Sequence, residues 1–189
     1  MRKATLADKS HVVTLLTDAF WNNLSVNYVI SKNGDKRRKI NALMAYSFNL
    51  CQAFGEVFVT DDMDGAALLL YPQNKRTTFL TIWWDIQLLF KSVGIFNFRK
   101  ALTREKIIHR LQEQGDKMYI WFIGINPPQH GKGKGSKLLT EICQLAKQKH
   151  LTIYLETSTL NNLPWYKRFG LTIYNQHDFG YLIFFLRKI

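Results

Sequence analysis

The sequence has no long apolar segment and few cysteines. Its longest apolar runs, residues 119–125 and 181–186, are strand-sized and far below the about 18 residues that a membrane-spanning helix needs. The two cysteines, Cys51 and Cys143, lie within helical apolar patterns, which favours buried free thiols over a disulfide or a catalytic thiol. We therefore expect no membrane partner and no disulfide framework.

Metal-ligand spacing, internal repeats and linker-like segments are also missing. The five histidines are scattered along the chain, so the sequence predicts no metal site. The first residues lead into a polar amphipathic stretch instead of the apolar core of a signal peptide, and we expect a cytoplasmic protein. With 189 residues, 47% of them hydrophobic, the composition predicts a single domain over 1–189 with a substantial core.

Acidic residues are scarce compared with basic ones. The chain has 14 Asp and Glu against 26 Lys and Arg, which gives a formal net charge of +12 and a pI of about 9.8. Such a balance favours anionic partners: nucleic acid, a membrane surface or a phosphorylated cofactor. The charge is spread over several segments, so ordinary solvated helix faces remain an alternative.

Hydrophobic periodicity predicts a mixed α+β chain. Helical patterns cover 8–20, 35–54, 81–93, 98–114 and 136–150, with a short helix that ends at Phe169; strand patterns cover 56–60, 66–71, 118–125, 151–156, 171–175 and 181–187. The aspartates between the first two strands do not follow calcium-loop spacing, because position twelve of such a loop is Tyr71 instead of a glutamate. They are interpreted as a hairpin turn.

A basic, glycine-rich loop lies between the apolar run 119–125 and the helical pattern that opens at Lys137. Its residues are His130, Gly131, Lys132, Gly133, Lys134, Gly135 and Ser136. Glycine accepts positive φ and keeps no Cβ between a ligand and the backbone, while a helix start presents unpaired N–H groups and the positive end of its dipole. The loop therefore predicts a cradle for phosphate oxygens, although a mobile basic loop would have a similar composition.

Two common phosphate-binding motifs do not fit this loop. A dinucleotide-binding fold carries its glycine loop after the first strand, whereas this loop lies past the middle of the chain. A Walker loop ends in Gly-Lys-Ser/Thr, and the order here is Gly135-Ser136-Lys137.

Two motifs in the right order resemble the GNAT superfamily of N-acetyltransferases. The run from Pro127 to Leu139 is similar to the family's acetyl-CoA motif, Gln/Arg-x-x-Gly-x-Gly/Ala, although His130 stands where the family has Gln or Arg. Downstream, Leu155-Glu156-Thr157-Ser158, then Asn162, then the run from Trp165 to Leu171 resemble the family's strand, asparagine and Tyr-x-x-x-Gly-Phe ending. The close match covers 119–171, whereas 73–117 match no part of the family's pattern.

The resemblance implies a fold and a cofactor. It implies a three-layer α/β/α fold whose central mixed, mostly antiparallel sheet of about six strands is splayed between the strands at 119 and 151 to hold acetyl-CoA. The residues implied to bind it are Ile123, Gly124 and Ile125 through backbone amides, His130, Gly131, Lys132, Gly133, Lys134, Gly135 and Ser136 around the pyrophosphate, and Asn162 and Tyr166 near the pantetheine arm and thiol.

The resemblance also implies a catalytic role for Tyr166. A phenol with a pKa of about 10 stays protonated at neutral pH and can donate a proton to the departing thiolate, although a packing role remains open. The attacking amine needs a base, for which Glu156 is our first candidate, with Asp116 and His109 as alternatives.

The implied function is acetyl transfer to a primary amine, on a small molecule more readily than on a protein, by a monomer or homodimer. Residues 73–117 are interpreted as a helical insertion near the acceptor site, where Trp83, Trp84, Phe90, Phe96 and Phe98 either line a pocket or serve packing or dimerisation. Two other functions are kept: a CoA-binding scaffold without catalysis, and a basic nucleic-acid-binding protein.

Overall fold

Seven strands form one sheet in the computed structural model, which describes residues 1–112 and 115–189 and, within these, all side chains except those at 95 and 96. The strands are β1 (Arg2–Lys3), β2 (Gly55–Val59), β3 (Gly65–Leu70), β4 (Lys117–Ile125), β5 (Thr152–Thr157), β6 (Thr172–Asp178) and β7 (Leu182–Lys188). Their order is β1-β2-β3-β4-β5-β7-β6, and β4–β5 is parallel whereas the other pairs are antiparallel. The strand beyond the six predicted is β1, which is too short to show a pattern.

Within the described residues, seven α-helices connect and cover the strands. They are α1 (Lys9–Ala19), α2 (Leu24–Val29), α3 (Lys36–Phe54), α4 (Phe79–Leu88), α5 (Ile95–Leu111), α6 (Lys134–Gln148) and α7 (Leu163–Arg168). The sequence did not predict α2, because six residues are too few for a periodic pattern. The end of the helix predicted over 98–114 lies outside the described residues.

Helices lie on both faces of the sheet, which confirms the three-layer α/β/α prediction. On one face, α1 and α3 pack their apolar side chains on β2, β3 and β4. On the opposite face, α6 packs Leu138, Leu139 and Ile142 on the central strands. Helix α5 covers the other half of the first face, where Ile108 contacts Ile183 and Phe185 of β7.

Strands β4 and β5 separate soon after they begin. Their parallel pairing is limited to Lys117, Met118 and Tyr119 with Thr152, Ile153 and Tyr154. Beyond Tyr119, β4 continues for six residues, to Ile125, while it stays paired with β3 on its other edge. This confirms the predicted splay, and it leaves the alternate backbone amides of β4 that point away from β3 without a strand partner.

A β-bulge lies at the point where the two strands part. In the β3–β4 ladder, Leu69 is opposite Ile120 and Leu68 is opposite Phe122, so Trp121 is the extra residue. A bulge increases the local twist and bends its strand. Trp121 and Phe122 consequently both contact the apolar core on the α1–α3 face, whereas residues alternate between faces on either side of the bulge.

Helices α4 and α5 form a bent pair outside this arrangement. A π-helical turn (Leu89–Val93) prolongs α4 and ends at Gly94, whose φ is +73°. No single helix among the described residues is long and apolar enough to cross a membrane; the bent pair 79–93 and 97–111 meets that test by length and composition alone.

Most of the described aromatic side chains of this pair are exposed to solvent. Trp83, Phe90 and Phe98 are exposed, because α4 packs its other face against α3. Trp84 borders a groove between α3 and α4, and the side chain at Phe96 lies outside the described residues.

Candidate active site

An open groove of about 790 Å³ follows the splayed end of β4. It brings together most of the residues that the sequence singled out: Ile123, Gly124, Ile125, His130, Gly131, Gly133, Lys134, Gly135, Ser136, Asn162 and Tyr166. Lys132 and Glu156 do not line it. One groove therefore joins the strand end, the glycine loop and α7, as an elongated ligand requires.

The glycine loop has the backbone conformation that its composition predicts. Gly131 and Gly133 both have φ of +78°, in the left-handed region that favours glycine. Gly133 immediately precedes α6, which begins at Lys134, slightly ahead of the start predicted near 136–137. The first residues of α6, including Gly135, consequently lie at the groove, and the N-terminus of a helix has unpaired N–H groups that suit an anion.

The side chain of His130 connects the glycine loop to the end of β4. Its Nε2 lies 3.0 Å from the carbonyl oxygen of Ile125, so the imidazole N–H donates to the last residue of β4. The side chain that departs from the family's Gln or Arg thus has a local partner that ties the strand end to the loop.

The side-chain ammonium groups of the two loop lysines, which the resemblance places around the pyrophosphate, each have a side-chain partner. The Nζ of Lys134 lies 2.8 Å from Asp62 Oδ2 and 2.5 Å from Asp64 Oδ2, and this ammonium lowers the pKa of both carboxyls. The Nζ of Lys132 donates to Gln129 Oε1 at 2.9 Å. The clustered aspartates of the β2–β3 turn therefore hold the start of α6.

Helix α7 is attached to α6 by a residue that the sequence analysis missed. The indole Nε1 of Trp165 donates to Ser136 Oγ at 3.0 Å, and its ring borders the groove. Its position directly before Tyr166 was the available signal. Asn162 precedes α7 without capping it through its side chain, which leaves that amide facing the groove.

Gly124 and Gly135 both border the groove, but the space available for a side chain differs between the two positions. A Cβ at Gly124 would lie 2.9 Å from Leu16 Cδ2 and 3.0 Å from Ala19 Cβ, so α1 requires the missing side chain. A Cβ at Gly135 would meet its nearest atom, Ile125 Cγ1, at 3.5 Å, an ordinary contact distance. The fold thus tolerates a small side chain at Gly135.

Tyr166 lies where α7 meets the groove and the core. The residue is 5% exposed, and burial raises the pKa of its phenol further above 10. Its hydroxyl forms no hydrogen bond with any residue that the structure describes. A protonated, unengaged hydroxyl at the wall of a groove can donate a proton to a bound group.

Glu156 lies on the opposite face of the sheet, beneath α5. It is opposite Phe185 in the β5–β7 ladder, and cross-strand partners share a face, so its side chain points towards α5. Tyr119 Oη and Gln112 Nε2 both donate to its carboxylate, the second at 2.9 Å. Burial is the main cause that raises the pKa of Glu156 above its usual value.

The other base candidates are less favourably placed. Asp116 and His109 are exposed, and neither borders the groove. Among the described residues, no group of three His, Cys, Asp or Glu side chains is arranged to hold a metal ion.

Known proteins share both sequence and fold with this chain. Residues 92–171 match the model of the acetyltransferase (GNAT) family, a range that includes α5 and ends just after α7. An uncharacterized N-acetyltransferase of Schizosaccharomyces pombe is 25% identical over 185 residues, which cover 93% of this chain and 74% of the relative.

Solved structures agree over the whole chain. A structure titled histone acetyltransferase HPA2 and related acetyltransferase, from Corynebacterium glutamicum, aligns with a TM-score of 0.70 at 18% identity and covers 99% of this chain and 93% of that one. Arylalkylamine N-acetyltransferase 2 from Aedes aegypti aligns with a TM-score of 0.64 at 13% identity, covering 100% and 97%. Together with the two motifs and the splayed sheet, the family match over 92–171 and the N-acetyltransferase relative support the assignment of this chain to the GNAT superfamily of N-acetyltransferases.

Proposed function

We propose that this protein transfers an acetyl group from acetyl-CoA to the primary amine of a small molecule. The observation that carries the proposal is the groove that joins the splayed end of β4, the N-terminus of α6 and the hydroxyl of Tyr166. Acetyl-CoA would supply an activated acyl group with a thiolate leaving group; the steps below concern what the chain's own residues do.

The groove fits the two chemically distinct parts of this cosubstrate. The left-handed glycines and the first amides of α6 suit a pyrophosphate, and Gly135 leaves the space that a side chain would fill. The amides of Ile123–Ile125 that lack a strand partner suit the amide groups of a pantetheine arm and can polarise a thioester carbonyl. Asn162 would contact the same arm.

Tyr166 acts as the general acid in this proposal. Its hydroxyl stays protonated throughout the neutral range, because burial raises its pKa, and it donates that proton to the leaving sulfur. Nothing in the described structure competes for the hydroxyl.

Glu156 acts as the base on the opposite face, with Tyr119 as its hydrogen-bonded neighbour. A carboxylate with a raised pKa is a stronger base than an exposed one, and Tyr119 Oη can relay a proton to it. The raised pKa also sets a direction for the pH dependence: turnover falls as the pH drops through the pKa of Glu156. Because α5 covers this face, the acceptor that we propose is small.

The test combines cofactor binding with an amine panel. Gly135→Val should remove most acetyl-CoA binding in calorimetry, because its side chain occupies the phosphate position, whereas Thr140→Val on the exposed side of α6 should bind like the wild type. Thiol release should then be followed with alkylamines, arylalkylamines and peptides as acceptors.

Each rival function has its own outcome. Tight acetyl-CoA binding without turnover on any amine would indicate a catalytically silent scaffold. Strongly salt-dependent oligonucleotide binding, with no thermal protection by acetyl-CoA, would indicate a nucleic-acid-binding protein instead. Equal acetyl-CoA affinity of the folded Gly135→Val variant and the wild type would contradict the placement of the cosubstrate.

A further inference from the structure

Helix α4 presents its more apolar face to solvent. Its inward face holds the buried Thr81, and the exposed Asp85 accepts a hydrogen bond from Tyr46 Oη of α3 at 2.6 Å. Its outward face, with the π-helical turn, carries six large apolar side chains that are 41% to 94% exposed: Phe79, Leu80, Ile82, Trp83, Ile86 and Phe90. Such a set of exposed apolar residues on one short helix marks an interaction surface.

Helix α5, which follows, also exposes large apolar side chains. Phe98 and Leu102 of α5 are 42% and 43% exposed, although α5 buries Ile108 against the sheet. The exposed apolar residues of 79–102, termed here the α4 face, therefore do not serve the core that the rest of the chain builds.

Cations surround the α4 face. Residues 75–110 contain eight Lys and Arg against two acidic residues, which leaves half of the chain's net charge of +12 in this segment. Lys75 and Arg76 are exposed just before α4, and Lys91 is exposed at its end. The two acids are both engaged, Asp85 with Tyr46 and Glu105 with Arg104 at 3.5 Å.

We propose that the α4 face docks on the surface of an anionic phospholipid bilayer. A helix of ten residues is about 15 Å long, half the hydrocarbon thickness, so α4 lies in the interface plane instead of spanning it. Phe and Trp side chains suit that boundary, and flanking Lys and Arg are attracted to anionic headgroups.

The charge distribution favours a bilayer over a second copy of this chain. A two-fold dimer through α4 would place the same cations of both copies around one interface, where like charges repel. Anionic headgroups complement them. The absence of a long apolar run, from which we expected no membrane partner, excludes a spanning segment but not a helix that lies on the surface.

Vesicle co-sedimentation tests the docking. The full chain should pellet with vesicles of phosphatidylcholine and phosphatidylglycerol, and much less with phosphatidylcholine alone. Binding should decrease at ~1 M salt, where the Debye length is about 3 Å. Tryptophan emission should shift to the blue on binding, and Trp83→Phe should reduce that shift while the protein still sediments.

Matched variants separate the apolar face from general charge. Phe79→Ser with Phe90→Ser should weaken binding by about tenfold or more, whereas Leu6→Ser with Ile173→Ser, which alters exposed apolar residues elsewhere, should not. Lys75→Gln with Arg76→Gln should weaken binding more than Lys147→Gln with Lys167→Gln on α6 and α7.

Three outcomes would overturn the proposal. One is the absence of binding to anionic vesicles. Another is equal loss in the test and control pairs, which would indicate binding through net charge alone. The third is a dimer in light scattering that Phe79→Ser with Phe90→Ser dissociates, which would assign the α4 face to a second copy. Acetyl-CoA turnover, measured in parallel, reports on the groove independently.

Discussion

Helix α6 buries its apolar face, whereas helix α4 exposes most of its large apolar side chains. Helix α6 packs the fully buried Leu138, Leu139 and Ile142 on the sheet and leaves polar residues outside. In α4 only Thr81 is buried, while aromatic side chains face outwards. The core fixes the position of α6 and with it the geometry of the groove, whereas most apolar side chains of α4 lie outside the core.

The largest expected contrast is in catalysis. Tyr166→Phe should reduce kcat by about 10²- to 10⁴-fold with little change in acetyl-CoA affinity, because it removes the proton donor and keeps the ring. Trp83→Ala on α4 should leave kcat near that of the wild type. Steady-state kinetics with the best amine and calorimetry with acetyl-CoA would measure both. An unchanged kcat for Tyr166→Phe, when chemistry limits the rate, would reassign Tyr166 to packing.

A second contrast concerns stability. Leu139→Ala should lower the free energy of unfolding by about 2–5 kcal/mol, since it empties space in a fully buried site. Phe79→Ala, at a side chain that is 94% exposed, should change it by about 0.5 kcal/mol or less. Urea denaturation measures the two. A large loss for Phe79→Ala in a monomeric sample would show that α4 packs more deeply than the structure indicates.

The smallest expected contrast is in the pH dependence of stability, between variants of Lys134, at the start of α6, and of Lys132. Because Lys134 lowers the pKa of Asp62 and Asp64, these carboxylates contribute stability above the unfolded value of about 3.9 and lose it as the pH falls through their lowered folded values. Lys134→Met should therefore lower the Tm slightly at pH 7 and hardly at strongly acidic pH. Lys132→Met, which removes only a contact with Gln129, should show no such pH dependence.

Sequence patterning predicted the parts of the fold that a buried stripe specifies. The apolar stripes of α3 and α6, the hairpin of β2 and β3 and the central strand were all confirmed, because burial of one face imposes a period on the residues. The two-residue β1 and six-residue α2 are too short to carry a period. For α4 the pattern gave a helix, but composition alone could not tell a buried aromatic from an exposed one.

The site was predictable where backbone conformation depends on residue type. Positive φ at Gly131 and Gly133 follows from glycine, and these positions lie at the groove as expected. The engagement of Lys134 by Asp62 and Asp64 was not predictable, since those residues lie about 70 positions away and meet it only through the sheet. The pairing of Trp165 with Ser136 likewise joins two helices whose packing the sequence does not specify.

The bulge at Trp121 determines which face of the sheet each later residue of the central strand points to. If the same residues paired without the bulge, every position after Trp121 would face the other side of the sheet, so Ile123 instead of Gly124 would lie beneath α1, where even a methyl group comes within 2.9 Å of Leu16. With Trp121 in place, the bulge therefore keeps Gly124 beneath α1. Deletion of Trp121 would remove the bulge and leave Gly124 beneath α1, whereas loss of the bulge with the residue retained would require a change in the first helix as well.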